Sequence, residues 1–217
     1  MRVNKITMEI NPSDLPHQSI YKILTGSVLP RPIGWITSVD INGAPNLAPF
    51  SFFNVVCSNP PTVLFCPLIR GTDGGTKDTL NNVRATREFV VNIVTEELLG
   101  AMNATSIEAP PDFNEIEFAG LTLAPSVTVK PPRVKESPIH FECKVNQIID
   151  INDKPGGGSI VIGAITHIHV EDGVMLGQDK INLQALKPVG RLMASGYCRV
   201  TDIIELERPK NMIGGRP

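Results

Sequence analysis

The chain has 217 residues, enough to bury a core without disulfides or metals. Its 20 Lys and Arg balance 22 Asp and Glu, which argues against a polyanion binder, because phosphate-backbone affinity needs clustered excess cation. Hydrophobic residues are 41%, too many for a disordered chain, while charged residues are 19%, below the ~25% of an average domain, which hints at a large buried interface such as a homodimer.

Residues 4–10 alternate polar and apolar, with Ile6, Met8 and Ile10 on one face, and predict a strand. The same stretch lacks the 7–15-residue apolar core of a secretory signal. Residues 14–24 predict a short helix ending near Gly26. Residues 28–32 are extended, since a residue before Pro avoids helical space. A strand at 34–39, a turn at 40–43 with Asn42-Gly43, and a returning strand at 46–56 follow. Pro49 removes a ladder N–H, so that returning strand is interrupted, bulged or at an edge, and frees backbone N–H groups for a ligand.

After a turn at 59–61 and a strand at 62–67, residues 71–75 form a polar loop. A helix is predicted at 76–86, with Leu80 and Val83 on one face and Asp78 in the first turn. Residues 88–94 are a strong strand. A helix at 95–104 takes Thr95 as its cap. Residues 108–120 are a loop rich in Pro and acid. Strands are predicted at 127–129, 139–151 and 159–170, the last two joined by a long hairpin loop. Residues 186–202 are mixed, and a tail from about 209 frays. Pro (19) and Gly (18) break helices, so a helical bundle is excluded. The pattern reads as one mainly β domain over 1–217, a barrel or sandwich with a few short appended helices.

Most familiar motifs are missing. The four Cys are at least nine positions apart, so there is no CxxC pair, and they read as buried, reduced cytosolic thiols. Gly156-Gly-Gly-Ser159 leads into a strand, so it is a hairpin loop and not a phosphate loop. No GxGxxG or GxSxG occurs. His167 and His169 share a strand face, without a third ligand nearby, and read as a solvent-facing pair with Ile168 and Val170 on the core side. Two segments carry chemistry. Asn46-Leu-Ala-Pro-Phe-Ser-Phe-Phe-Asn54 suits a planar ligand; Leu47, Phe50 and Phe52 or Phe53 filling the core is the alternative. Gly75-Thr-Lys-Asp-Thr79 enters a helix, whose free N–H groups, with Lys77 and Thr79, suit a phosphate monoester; ordinary capping with a solvated Lys is the alternative.

Pro30-Arg-Pro-Ile-Gly-Trp-Ile-Thr-Ser38, Asn46-Leu-Ala-Pro-Phe-Ser51, Ser58-Asn-Pro-Pro61, Lys77-Asp-Thr79 and Glu88-Phe-Val-Val-Asn92 occur in this order, followed by Met102-Asn-Ala-Thr-Ser106, Pro131-Pro-Arg133, Glu136-Ser-Pro138, Glu142-Cys143 and Gly190-Arg-Leu192. The set resembles the flavin reductase-like, FMN-binding split-barrel family, in the branch that holds flavoredoxin-type proteins. The resemblance implies a six-stranded antiparallel Greek-key split β-barrel, a cytoplasmic homodimer, and FMN near its interface. By that resemblance Asn46 and Phe52 lie near the flavin ring. Ala48, Pro49, Phe50 and Ser51 meet its edge, with Phe53 beside them. Trp35, Thr37 and Ser38 line the ribityl side. Lys77 and Thr79 hold the phosphate, Arg31 is a phosphate or edge contact, and Phe52 or Trp35 covers a ring face. Glu115 stands in a loop where some flavoredoxin relatives carry Lys, and reverses its charge. The implied activity is an FMN-dependent NAD(P)H:flavin oxidoreductase, passing electrons to free flavin or a partner monooxygenase. No catalytic side chain and no metal are needed, because the flavin carries the redox chemistry. An FMN electron carrier and a non-catalytic flavin-binding protein are the alternatives.

Overall fold

Alternation along residues 33–50 builds the centre of the fold. In the computed structural model, which describes residues 7–110 and 113–209, strand β1 (Gly34–Val39) is buried at all its positions. Successive side chains leave opposite faces of a strand. Ile36 therefore enters one apolar cluster, with Phe50, Phe53, Val63, Phe65 and Phe89. Ile33 and Trp35 enter a second, with Leu47, Val94, Met102 and Ile116.

The other strands are, in chain order, β2 (Pro45–Phe50), β3 (Phe53–Ser58), β4 (Pro61–Phe65), β5 (Glu88–Ile93), β6 (Leu123–Ala124), β7 (Arg133–Val134), β8 (Ile139–Asn152), β9 (Gly158–Val170), β10 (Met175–Leu176), β11 (Lys180–Ile181), β12 (Val189–Arg191) and β13 (Tyr197–Arg199). Seven of them form one antiparallel sheet in the order β2-β1-β5-β8-β9-β4-β3. Its two edge strands are consecutive in the sequence, separated only by Ser51 and Phe52. The sheet must therefore curl until its edges meet at this corner, and the first cluster fills the space inside. The count is seven, where six were expected, because the segment 46–56 is two strands. Gly34 is dictated by the corner: a Cβ there would lie 2.6 Å from the Phe53 ring.

Helix α1 (His17–Ser27) lies before the sheet. Helix α2 (Asp78–Thr86) sends Leu80 and Val83 into the first cluster, as their spacing predicts. Helices α3 (Leu99–Ala104) and α4 (Glu115–Phe118) send Met102 and Ile116 into the second. Helix α5 (Leu183–Leu186) packs near the end of the described chain. No helix among the described residues is long and apolar enough to cross a membrane.

Several expectations are corrected. The strand at 4–10 falls partly on residues 1–6, outside the described residues, and 7–10 are not strand. The tail beyond Pro209 also lies outside them. Thr95 does not cap α3: it bridges Pro188, and Leu98, before the first helical residue, has no side chain that can cap. The segment 108–120 contains α4, whose cap Asn114 accepts the N–H of Glu117. Cys57 is exposed, since β3 is an uncovered edge; all four cysteines are free thiols. Among the described residues no group of three or more His, Cys, Asp or Glu is placed to hold a metal ion.

Residues 127–129 form no strand, and the reason lies in Glu142. Its carboxylate is fully buried and takes the N–H of Val127 at 2.8 Å, the N–H and hydroxyl of Thr128 at 2.6 and 2.7 Å, and His169 Nε2 at 2.6 Å. A buried carboxylate needs such partners, so His169 turns inward and Ile168 is 50% exposed, the reverse of the expected facing. Burial opposes ionisation of Glu142, but His169 and the Val127 and Thr128 donors outweigh it and hold the carboxyl down at about 2. Burial lowers His140 to about 4, so it is neutral, and its Nε2 meets the Val134 carbonyl at 2.8 Å.

In the unfolded chain His140 gains its proton near pH ~6.5 and Glu142 near ~4.3. Folded, each gains it only at lower pH. The unfolded state therefore binds more protons below pH ~6.5, and stability falls as the pH drops from there towards ~2. The urea midpoint should decline over that range, and His140→Phe should flatten the part between pH ~6.5 and ~4. Glu142→Gln should cost about 2–4 kcal/mol at neutral pH, read from the same midpoint.

Candidate functional site

Strand β2 has β1 on one side and, among the described residues, no strand on the other. Helices α2, α3 and α4 all contact it. Clefts open along it at both ends. At its start, a narrow cleft is lined by Asn46, Ala48, Arg70, Lys77, Thr79 and Glu115. At its end, a cleft of about 170 Å³ is lined by Tyr21, Pro49, Ser51, Asn103, Arg191 and Tyr197. Tyr21 also borders a larger apolar cleft of about 620 Å³ between α1 and Phe52.

The narrow cleft is polar. Lys77 stands at the N-terminus of α2, which has no side-chain cap. Asp78, the acid of that first turn, is drawn away to Arg70 at 2.7 Å. Lys77 Nζ lies 3.7 Å from Glu108. The Thr79 hydroxyl accepts Asn46 Nδ2 at 2.9 Å, which leaves its own proton to donate. An uncapped helix start beside a cation and a hydroxyl is suited to a phosphate. In the second cleft the Arg191 guanidinium lies 4.4 Å from the Tyr197 ring centre, and the Tyr197 hydroxyl reaches Asn103 at 3.3 Å.

The expected site residues thus divide into two sets. Asn46, Ala48, Pro49, Ser51, Phe52, Lys77 and Thr79 line clefts. Arg31, Trp35, Thr37, Ser38, Phe50 and Phe53 lie behind them, buried. Phe50 and Phe53 fill the inner cluster. Trp35 cannot cover a ligand ring: it is fully buried, and its Nε1–H donates to Thr105 at 2.9 Å, a residue of the narrow cleft. Thr37 accepts from Asn92, and Ser38 accepts from Asn82 of α2. Arg31 is not at the phosphate end. Its guanidinium donates to the carbonyls of Thr25 at 2.6 Å, Val28 at 3.3 Å and Leu192 at 2.9 Å, and to Ser51 Oγ at 3.3 Å. It ties α1, the β2–β3 corner and the segment after β12 together.

Tyr21, Arg70, Asn103, Glu115, Arg191 and Tyr197 were not among the expected site residues. Asn103 and Arg191 lie within segments that carry the family resemblance, so the sequence held a signal for them. Tyr21 and Tyr197 reach the cleft only through the folding of distant segments.

A curled antiparallel sheet with clefts at both ends of its open edge strand frames the candidate site. A family model described as the flavin reductase like domain matches residues 25–183, and the chain belongs to that family. It is 40% identical over 205 residues to protein BH2278 of Halalkalibacterium halodurans, covering 93% of this chain and 97% of the relative. Among solved structures it is similar to nitrilotriacetate monooxygenase component B from Bacillus cereus, at 35% identity and TM-score 0.88, covering 94% of this chain and 100% of that one. It is also similar to the 2-nitrobenzoate 2-nitroreductase NbaA of Pseudomonas fluorescens, at 33% identity and TM-score 0.83, covering 93% and 96%.

Lys cannot reproduce the planar fork of Arg31. Arg31→Lys should cost about 2–3 kcal/mol through lost charge-assisted hydrogen bonds, read by chemical denaturation.

Proposed function

We propose that this chain is an FMN-dependent NAD(P)H:flavin oxidoreductase. The observation that carries the reading is the pair of clefts along β2, one beside Lys77, Thr79 and the uncapped start of α2, the other beside the stacked Arg191 and Tyr197. The residues present fit FMN. Lys77 and the Thr79 hydroxyl, at the uncapped start of α2, would hold the phosphate. Ala48, Pro49 and Ser51 would meet the ring edge, and Asn46 would fix Thr79. Backbone N–H groups at the Phe50–Phe53 corner would stabilise negative charge on the ring, the physics of an oxyanion hole. When bound, the flavin supplies the two-electron chemistry, taking a hydride from NAD(P)H and giving its electrons to free flavin or a partner oxygenase.

The larger cleft beside Phe52 and Tyr21 is roomy enough for a nicotinamide to stack. No side-chain acid or base is needed there. The likeness to a monooxygenase component B supports a partner oxygenase as acceptor. Tyr21, Leu24 and Val28 of the α1 region and Val55 and Val56 of β3 are exposed apolar residues that a second copy of this chain would cover.

The test is a visible spectrum with FMN added, then anaerobic NADH. Bound flavin that bleaches supports the reductase. Bound flavin that stays oxidised favours an electron carrier, and no bound flavin overturns the reading. Lys77→Ala with Thr79→Ala should weaken FMN binding by about 1.5–3 kcal/mol per lost charge-assisted bond, while riboflavin binding, measured by fluorescence quenching, stays unchanged.

A further inference from the structure

Every charged group of the narrow cleft has a counter-ion except one. Arg70 is paired with Asp78, and Lys77 with Glu108. Glu115, on the first turn of α4, has none among the described residues. It is 8% exposed, it lines the cleft, and its Oε2 has no hydrogen-bond partner. The carboxyl faces the backbone N–H groups of Leu47, on the open edge of β2, and of Glu115 itself.

The ion pairs leave the wall of the cleft neutral. An ionised Glu115 would add a negative charge at the place where a phosphate must sit, and a buried carboxylate beside an anion is disfavoured twice over. A protonated Glu115 reverses the interaction, because a carboxylic acid has an O–H to donate and a phosphate oxygen accepts it. We propose that Glu115 is protonated when the cleft holds a phosphate monoester and that its Oε2–H donates to a phosphate oxygen, so that each ligand bound brings one proton with it. The proposal rests on the reading of this cleft as the phosphate end of the flavin site.

The surroundings agree. Burial pushes the Glu115 carboxyl up, the two backbone N–H groups pull it down by less, and the charge of Asp78 adds to the rise. The charged groups facing it are Lys77 and Asp78 of α2, Arg70 of the preceding loop and Glu108 of the segment after α3. Glu117, its neighbour on α4, is exposed. Asn46, Ala48 and Thr105 carry no charge. The proton comes from solvent and returns there on release, and no bond other than the hydrogen bond is made.

The experiment compares FMN and riboflavin as probes, by fluorescence quenching between pH 6 and 9, on the wild-type chain and Glu115→Gln. Gln keeps an N–H donor but cannot ionise. FMN affinity of the wild type should fall by roughly tenfold per pH unit above the Glu115 titration, relative to the variant. The comparison cancels the titration of the phosphate itself. Riboflavin affinity should follow the same course in both proteins. Calorimetry of FMN binding in two buffers of different ionisation heat should show uptake of up to one proton more by the wild type than by Glu115→Gln, the difference cancelling any proton change of the phosphate. Coincident FMN profiles in wild type and Glu115→Gln, or equal proton uptake by the two, would overturn the proposal while leaving the flavin reading intact. No FMN binding at any pH would overturn both.

Discussion

The fold depends on a constraint of connectivity: one short piece of chain forms both edges of the same sheet. Strands β2 and β3 are separated by Ser51 and Phe52 alone, yet they lie at opposite ends of the strand order. The sheet has to close on itself, and Phe50 and Phe53, on either side of the corner, plug the interior where it closes. That closure brings edges together without pairing β2 to β3. The backbone of β2 is left facing outward on one side, and the candidate site is built against it.

Buried polar groups then hold the pieces around this corner. Arg31 binds α1, the corner and the β12 region through four acceptors. Asn92 uses its whole amide, donating to the Trp35 carbonyl and Thr37 and accepting from Val134. Glu142 fixes a loop that would otherwise have no partner for its N–H groups. Satisfied groups of this kind add little net free energy, but leaving one unpaired is expensive, and they therefore select one arrangement. The residues that touch the clefts are positioned by this layer behind them.

Much of this was legible in the sequence. The strand and helix segments from 34 to 94 follow from alternation, turn residues and spacing, and the interruption near Pro49 follows from its missing N–H. What alternation cannot show is which polar residues are buried. Thr37 and Ser38 are ligand contacts only by the family resemblance; both faces of β1 are covered, and these hydroxyls bind Asn92 and Asn82. Trp35, assigned by the same resemblance, is buried behind the clefts as well. Helix α4 was hidden in a Pro-rich, acidic stretch, although Asn114 three residues before Glu117 is a capping signal. The pairing of Tyr21 with the β2 groove needs a contact across distant segments, which no local pattern encodes.

The outward edge of β2 has one more consequence. A row of free backbone groups invites a strand from another molecule, and sheet proteins with such edges tend to aggregate unless something blocks the row. Here two of the six residues of β2, Pro45 and Pro49, have no N–H to offer. Together with the helices packed along it, they leave too few donors in line to template a neighbouring chain. The same two prolines therefore help keep this open edge from polymerising.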